Sequence, residues 1–197
     1  IVISLVGSEM CIRDRYKGYK KRRFSSCRAI SQAFWSVVTI RIGNGFDAHQ
    51  IKKGDGMILG GVYIACEYSI IAHSDGDIIS HSICDALLGA ASLGDIGQFF
   101  PDTDKFKNIS GAEMIKIVLN ELKSKNYEII NIDITYIGEI PKIEKHRSEI
   151  LQNLANMLKI DSEKISCKAT TTDKMGFMGK KEGISCLTNV LIEKPAK

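Results

Sequence analysis

Nowhere in the sequence is there a run of about 18 apolar residues, so no part of it reads as a membrane-spanning helix. It also lacks any CxxC pair. The six cysteines, Cys11, Cys27, Cys66, Cys84, Cys167 and Cys186, are too scattered for the disulfide framework of a small secreted domain. Cys66, Cys84, Cys167 and Cys186 stand in apolar or strand-like contexts and read as reduced, mostly buried thiols rather than as a structural zinc cluster. A basic fold is missing too. Residues 1–39 carry eight Lys/Arg and two Asp/Glu, whereas residues 40–197 carry 19 and 21. The net charge of +4 therefore belongs to the N-terminal stretch, and the nearly neutral remainder argues against a nucleic-acid-binding domain. There are no internal repeats. What is present, 197 residues of which 44% are hydrophobic, suits one compact domain with a substantial core.

The first 39 residues do not pattern like the rest. The stretch SLVGSEMCIRDR resembles a translated sequencing adapter, while residues 15–39 are rich in Arg and Lys, contain Ser and have no acid, which suits an organellar transit peptide. A disordered tail is the third reading of this extension. None of the three gives it chemistry, and the catalytic domain is expected to span residues 40–197.

From Ile40 the signals become regular. A short strand at 40–43 leads into GNGFDAH, and a second at 57–64 is interrupted by Gly60-Gly61, a sign of a bulge or close backbone approach. SDGD, with Ser74 or Asp75 as cap, precedes a helix over 76–92 whose apolar stripe is Ile79, Ile83, Ala86, Leu87 and Ala90. Ser110 and Glu113 predict a capping box for a helix that buries Ile115, Val118, Leu119 and Leu122. Residues 129–138 alternate as a strand with Ile130, Ile132, Ile134 and Tyr136 on one face. A third helix over 143–158 buries Ile150, Leu151, Leu154 and Leu158, with His146 on its exposed side, and strands at 164–172 and 184–192 finish the chain. This order predicts an α+β sandwich of βαβ type, a mixed sheet with helices mainly on one face.

Three constellations carry candidate chemistry. Asp47 and His49, two apart on an extended chain, project to the same side, so a carboxylate and an imidazole can share one ion. Asp77, His81 and Asp85 lie on one helix face, roughly opposite the apolar stripe, and His81 is the candidate third ligand of a catalytic zinc. The bland alternative is that Asp47 and His49 are polar loop residues and His81 a solvated one. In AHSDGD, capping explains Ser74 to Asp77 but leaves His73 over, beside amides able to hold an anion. KATTTDKMGF offers three hydroxyls and flanking lysines for a diphosphate, or is an ordinary Thr-rich strand.

Together, GNGFDAH, LGG, AHSDGDIISHSICDALLGAASLGDIGQFFPDTD, PK and KATTTDKMGF resemble, in order and spacing, the motifs of the methylerythritol cyclodiphosphate synthase family over about residues 40–194. The resemblance implies that Asp47, His49 and His81 bind one Zn²⁺ per subunit, and that His73 and Thr171 stabilise the transition state. Ser74, Asp95, Ile96, Gly97, Phe100, Pro101, Asp102, Thr103 and Asp104 match the pocket for the methylerythritol phosphate. Gly138, Lys142, Ile143, Ala169, Thr170 and Thr172 match the cytidine diphosphate pocket, and Phe177 and Lys180 match further substrate-side positions. It implies a homotrimer with active sites between subunits, located in a bacterial-type cytoplasm, or in a plastid stroma if residues 15–39 are a transit peptide.

The implied reaction closes 4-diphosphocytidyl-2-C-methyl-D-erythritol 2-phosphate to the 2,4-cyclodiphosphate with release of CMP. Positioning and positive charge suffice for it, so the lack of a Ser/His/Asp or paired-carboxylate arrangement is in keeping. A zinc phosphohydrolase and a non-catalytic trimer that binds isoprenoid diphosphates are the rival readings. The chain departs from the family pattern at Asp173, where Glu usually binds a second divalent cation (Mg²⁺ or Mn²⁺). It departs again at Lys180, where Arg is usual and a bidentate fork becomes a point charge, and at Asn44, where His is frequent.

Overall fold

The computed structural model describes residues 38–72, 74–101, 103, 106 and 108–195. Strand β1 (Thr39–Lys53) is far longer than the four residues expected and takes in the whole of GNGFDAH. It lies antiparallel to β7 (Gly183–Lys194) along its length, and its end pairs with the short β4 (Tyr68–Ile70). On the far side of β7 run β5 (Glu128–Ile137) and then β6 (Ile165–Thr170), the latter parallel to β5. The five-stranded mixed sheet has the order β4-β1-β7-β5-β6.

Alternation decides which side of the sheet is covered. In β1 the odd positions Gly43, Gly45 and Ile51 are buried, whereas Ile40, Ile42 and Phe46 are 60%, 74% and 55% exposed. Helix α1 (Ile78–Ala90) lies on the odd face, followed by the single turn α2 (Ile96–Phe99) and helix α3 (Gly111–Ser124). Helix α4 (Arg147–Leu158) connects β5 to its parallel neighbour β6. The last short helix is α5 (Gly176–Gly179), inside a stretch that reads as plain loop in the sequence. The expected α+β class, mixed sheet and βαβ unit are all present, and no described helix covers the even face of β1.

Several elements differ from expectation for local reasons. Residues 57–64 are two strands, β2 (Gly56–Leu59) and β3 (Val62–Ala65), which form a separate hairpin. Gly60 and Gly61, at φ of +60° and +73°, are its two-residue turn, the backbone conformation that favours Asn or Gly. Neither Ser74 nor Asp75 caps α1. Asp77 does, accepting from the amides of Ile79 and Ser80. The same carboxylate accepts from Gly60 and Gly61 at 2.7 Å each and from Ser80 Oγ at 2.6 Å, so one fully buried acid ties the hairpin turn to the helix start. A bulge at Ile130 shifts the period of β5, so Ile129 is buried in its place. The third helix opens with a 3₁₀ turn, Ile143–His146, before α4, and His146 is half-buried rather than exposed, 3.9 Å from Glu149. The Ser110–Glu113 capping box is formed in full. Cys84, Cys167 and Cys186 are buried and Cys66 half-buried, all free thiols.

Candidate active site

Two glycines bring helix α1 onto the sheet. A Cβ on Gly43 would sit 1.9 Å from the Ala86 carbonyl oxygen, and one on Gly45 would sit 2.0 Å from that of Ser82. Backbone therefore packs on backbone, with about one helical turn (5.4 Å) for every two strand residues (about 6.8 Å). Continued along β1, the same face carries Asp47 and then His49, and on α1 His81 is the residue just before Ser82. The spacing G-x-G-x-D-x-H thus does two jobs: the glycines set the separation and the next two inward positions supply the ligands.

His81 is 5% exposed, so the inference that it lies opposite the core side is corrected. Eleven of the 13 residues of α1 are buried; the helix is covered nearly all round and has no solvent face to speak of. Asp77, placed with His81 on one face, is committed to the hairpin turn. Asp85 is spent too: its carboxylate accepts from the amide of Ile96 at 2.9 Å and so fixes the start of α2, a role with no local signature among the residues around it.

Asp47 Oδ2, His49 Nε2 and His81 Nδ1 converge. Oδ2 is 3.2 Å from His49 Nε2 and 3.0 Å from His81 Nδ1, and the two nitrogens are 3.2 Å apart. A triangle with edges of about 3.1 Å has its corners about 1.8 Å from its centre, inside the usual zinc–ligand distance of about 2.05 Å, so Asp47, His49 and His81 are spaced to hold one such ion together. The surroundings fit that use. Asp47 Oδ1 is occupied by the Ala48 amide at 2.8 Å, and His81 Nε2 lies 3.3 Å from Ser74 Oγ, which leaves Nδ1 as the ligating atom. Burial works to raise the Asp47 carboxyl, but the hydrogen bonds and charges of His49 and His81 outweigh it and hold the group far below the carboxylate range. Burial likewise opposes charge on His81, and Asp47, with Asp77 and Asp75 behind it, raises the imidazole all the same. Three groups so strongly drawn to one another suit a cation between them. Among the described residues this is the one such cluster.

The triad opens into a cleft of about 680 Å³ also lined by Ser74, Ile96, Gly97, Phe100, Pro101 and Thr103. All six are expected substrate residues. Ala72, Phe106, Asn108, Ile109 and Met114 complete the wall, and nothing local in the sequence marks them as site residues. Asp95 caps α2 through the Gln98 amide rather than lining the cleft. His73, Asp102 and Asp104 lie outside the described residues.

A second hollow, about 190 Å³, sits at the carboxyl ends of the parallel pair β5 and β6, where ligands of α/β units commonly bind. Gly138, Lys142, Ile143, Ala169, Thr170 and Thr171 line it as expected, with Tyr136, Pro141, Glu144 and Arg147 in addition. Gly138 is required there, since a Cβ would come within 2.8 Å of the Tyr136 hydroxyl. Beyond the rim, Thr172 Oγ1 donates to the Met175 carbonyl at 2.6 Å, and Asp173, at φ +52°, donates its amide to Thr171 Oγ1. Asp173, Phe177 and Lys180 are exposed, and with Thr172 they line neither hollow. The two hollows share no lining residue, so the structure gathers the expected site into two halves rather than one.

Comparison with known proteins gives the same family from three directions. The model of the YgbB family matches residues 40–193. The chain is 46% identical over 155 residues to the 2-C-methyl-D-erythritol 2,4-cyclodiphosphate synthase of Saccharophagus degradans, an alignment covering 78% of this chain and 100% of that one. The enzyme of the same name from Leptospira interrogans is 48% identical over 157 residues, covering 78% and 98%. Among solved structures, the IspF–CDP complex of Plasmodium falciparum is 40% identical and superposes with a TM-score of 0.71 over 80% of this chain and 97% of that one. With the Asp47/His49/His81 triad, the cleft and nearly the full length of these relatives accounted for, the chain belongs to the YgbB family, that of the 2-C-methyl-D-erythritol 2,4-cyclodiphosphate synthases.

Proposed function

We propose that the chain converts 4-diphosphocytidyl-2-C-methyl-D-erythritol 2-phosphate to 2-C-methyl-D-erythritol 2,4-cyclodiphosphate and CMP, as a cyclising lyase of the non-mevalonate isoprenoid pathway. The observation that carries this is the convergence of Asp47, His49 and His81 on one point in the wall of a substrate-sized cleft, in a chain nearly half identical to such synthases. An oxygen of the 2-phosphate attacks the β-phosphorus, the bond from that phosphorus to the CMP oxygen breaks, and no covalent enzyme intermediate forms. The work left to the protein is to hold two repelling anions in line. Zinc, one ion per subunit on the triad, would supply Lewis-acid polarisation of a phosphate oxygen.

The chain's own residues do the positioning. Ser74, Ile96, Gly97, Phe100, Pro101 and Thr103 shape the cleft around the methylerythritol phosphate, and Asp95, Asp102 and Asp104 are assigned to the same part of the substrate. Gly138, Lys142, Ile143, Ala169, Thr170 and Thr172 hold the cytidine diphosphate. Thr171 and His73 steady the reacting phosphates, Phe177 and Lys180 approach from the substrate side, and Asp173 serves a second divalent ion, Mg²⁺ or Mn²⁺.

Two features support a homotrimer with sites between subunits. The halves of the site form separate hollows within one chain, and the bare sheet face carries Ile40, Ile42 and Phe46 in the open. We assign residues 1–39 to an extension outside the catalytic unit, in line with a family match that begins at residue 40. The enzyme then belongs in a bacterial-type cytoplasm, or in the plastid stroma if residues 15–39 are a transit peptide. Phosphorus NMR with the authentic substrate tests the reading: a cyclic diphosphate and CMP are expected. Open-chain phosphates would mean a phosphohydrolase, and untouched substrate a binding protein.

A further inference from the structure

His81 has two ring nitrogens, and the triad uses one. With Nδ1 turned toward Asp47 and His49 as the ligating atom, the proton of a neutral ring has to sit on Nε2. Two groups approach that nitrogen. Ser74 Oγ, at 3.3 Å, is its hydrogen-bond acceptor. The other is the carboxylate of Asp75, whose Oδ1 is 4.0 Å from Nε2. That separation is too long for a hydrogen bond, but both side chains are mostly buried, where a fixed charge acts strongly over such a range.

Asp75 is held in place from two elements. Its Oδ1 accepts from the Asp77 amide at 3.1 Å, and its Oδ2 accepts from the amide of Gly111, the first residue of α3, at 2.8 Å. The capping box of α3 leaves that amide unserved, because Ser110 Oγ accepts from the Glu113 amide and the Glu113 carboxylate from the Ser110 amide. Asp75 lines neither hollow, so it can act on the reaction only through His81. Asp77, the other acid close by, is taken up by the hairpin turn and the start of α1.

We infer that Asp75 is a positioning residue of the metal site: its carboxylate keeps the His81 ring proton on Nε2 and makes Nδ1 the stronger donor to the ion. This rests on the reading of Asp47, His49 and His81 as a zinc site. A carboxylate on the far side of a ligating imidazole fixes the tautomer and raises the basicity of the ligand nitrogen, and the loss of such a partner weakens metal binding by about 10- to 100-fold. The bond to Gly111 sets the distance between charge and ring from α3 as well as from the loop.

The test is zinc affinity, measured on the full chain by competition with a chromophoric chelator. Asp75→Asn keeps the shape and removes the charge, and zinc should bind about 10- to 100-fold more weakly. Ser110→Ala is the structural control. It breaks the capping box of α3 without touching Asp75, so it should lower the melting temperature and leave zinc affinity as in wild type. In zinc-loaded protein the ¹H–¹⁵N signal of His81 Nε2–H should move upfield in D75N and stay put in S110A. A D75N protein that binds zinc as tightly as wild type overturns the proposal. So does an equal loss of affinity in S110A, or a loss in D75N with the His81 signal unmoved, since either would leave Asp75 a structural link to α3. Should D75N fail to fold, Asp75→Ser keeps an acceptor for the Asp77 amide without the charge, and the same results decide. Wild-type protein that takes up no zinc overturns the reading of the triad, and the proposal with it.

Discussion

At the scale of single residues, the metal triad shows how much a side chain's surroundings alter what its removal should do. From the helical spacing alone, His81→Ala is a surface change that removes zinc and nothing else. Buried as it is, between β1 and α1, His81 also fills space, and Asp47 loses one of the two partners that keep it ionised at little cost. The expected outcome is loss of stoichiometric zinc and of activity, together with a destabilisation of about 1–3 kcal/mol. Metal analysis of the purified variant and denaturant unfolding of metal-free protein read the two effects separately; retained zinc would sink the ligand assignment. Asp173 is a different kind of residue. It is exposed, and its left-handed backbone, φ +52°, is one that Asp tolerates better than most side chains. Its carboxylate is one methylene shorter than the Glu usual in the family, so a water is expected to complete the shell of the second ion. Asp173→Glu should therefore lower the Mg²⁺ concentration needed for half-maximal activity, with zinc content unchanged. A metal titration that gives the same or a higher requirement refutes this.

At the scale of elements, β1 and α1 form one unit whose separation is set by glycine. Gly45→Ala must push α1 off the strand, because its Cβ would fall 2.0 Å from a backbone carbonyl that cannot rotate away. Overpacking of this kind costs about 1–3 kcal/mol. Displacing His81 from Asp47 and His49 should also weaken zinc by tenfold or more, the range seen when ligand orientation is lost. Gly89→Ala is the matched control. It lies on the same helix with its nearest neighbour at 4.0 Å, and should stabilise by up to about 1 kcal/mol through helix propensity alone. Equal zinc affinity in the two variants would defeat the argument. The same unit explains what was legible in the sequence. The capping box at Ser110, the period-2 run of β5 beyond Asn131 and the Asp47/His49 pair follow from patterns within a few residues, and all are present. The hairpin at Gly60-Gly61 pairs residues no more than nine apart and is a local signal, whereas the Asp77 clasp upon it and the burial of His81 depend on partners at least 16 residues away. No local pattern encodes such partners. The amphipathic reading of α1 failed for a related reason: a central helix covered by the sheet and by α3 has Ser80 and Ser82 buried along with its isoleucines, so periodicity there marks no solvent side.

At the scale of the whole molecule, the bare face of the sheet is the feature that a single chain leaves unexplained. Ile42 pairs in register with Leu191, and Phe46 with Leu187, so the apolar stripe on β1 continues onto β7. Along the same face Asn44 Nδ2 donates to Asn189 Oδ1 at 2.9 Å, and Lys168 pairs with Asp133. An apolar stripe with interspersed polar pairs is the make-up of a subunit interface, and a stable one buries about 800 Å² per partner. Ile42→Glu separates assembly from folding and from metal binding. Ile42 is 74% exposed and lies on the side of the sheet away from α1, so the variant should fold with a melting temperature near that of the isolated subunit. Asp47, His49 and His81 come from one chain, so zinc content should stay at one per subunit. In the proposed homotrimer, however, a glutamate brought onto this apolar face would have to be buried unpaired, at a cost of several kcal/mol in each subunit. The mass measured by light scattering should fall from trimer to monomer. If each site is completed by a neighbour, activity should fall by orders of magnitude, even though each subunit still carries its metal. A monomeric variant with full activity would show that one chain suffices; a trimeric one would move the interface off this face.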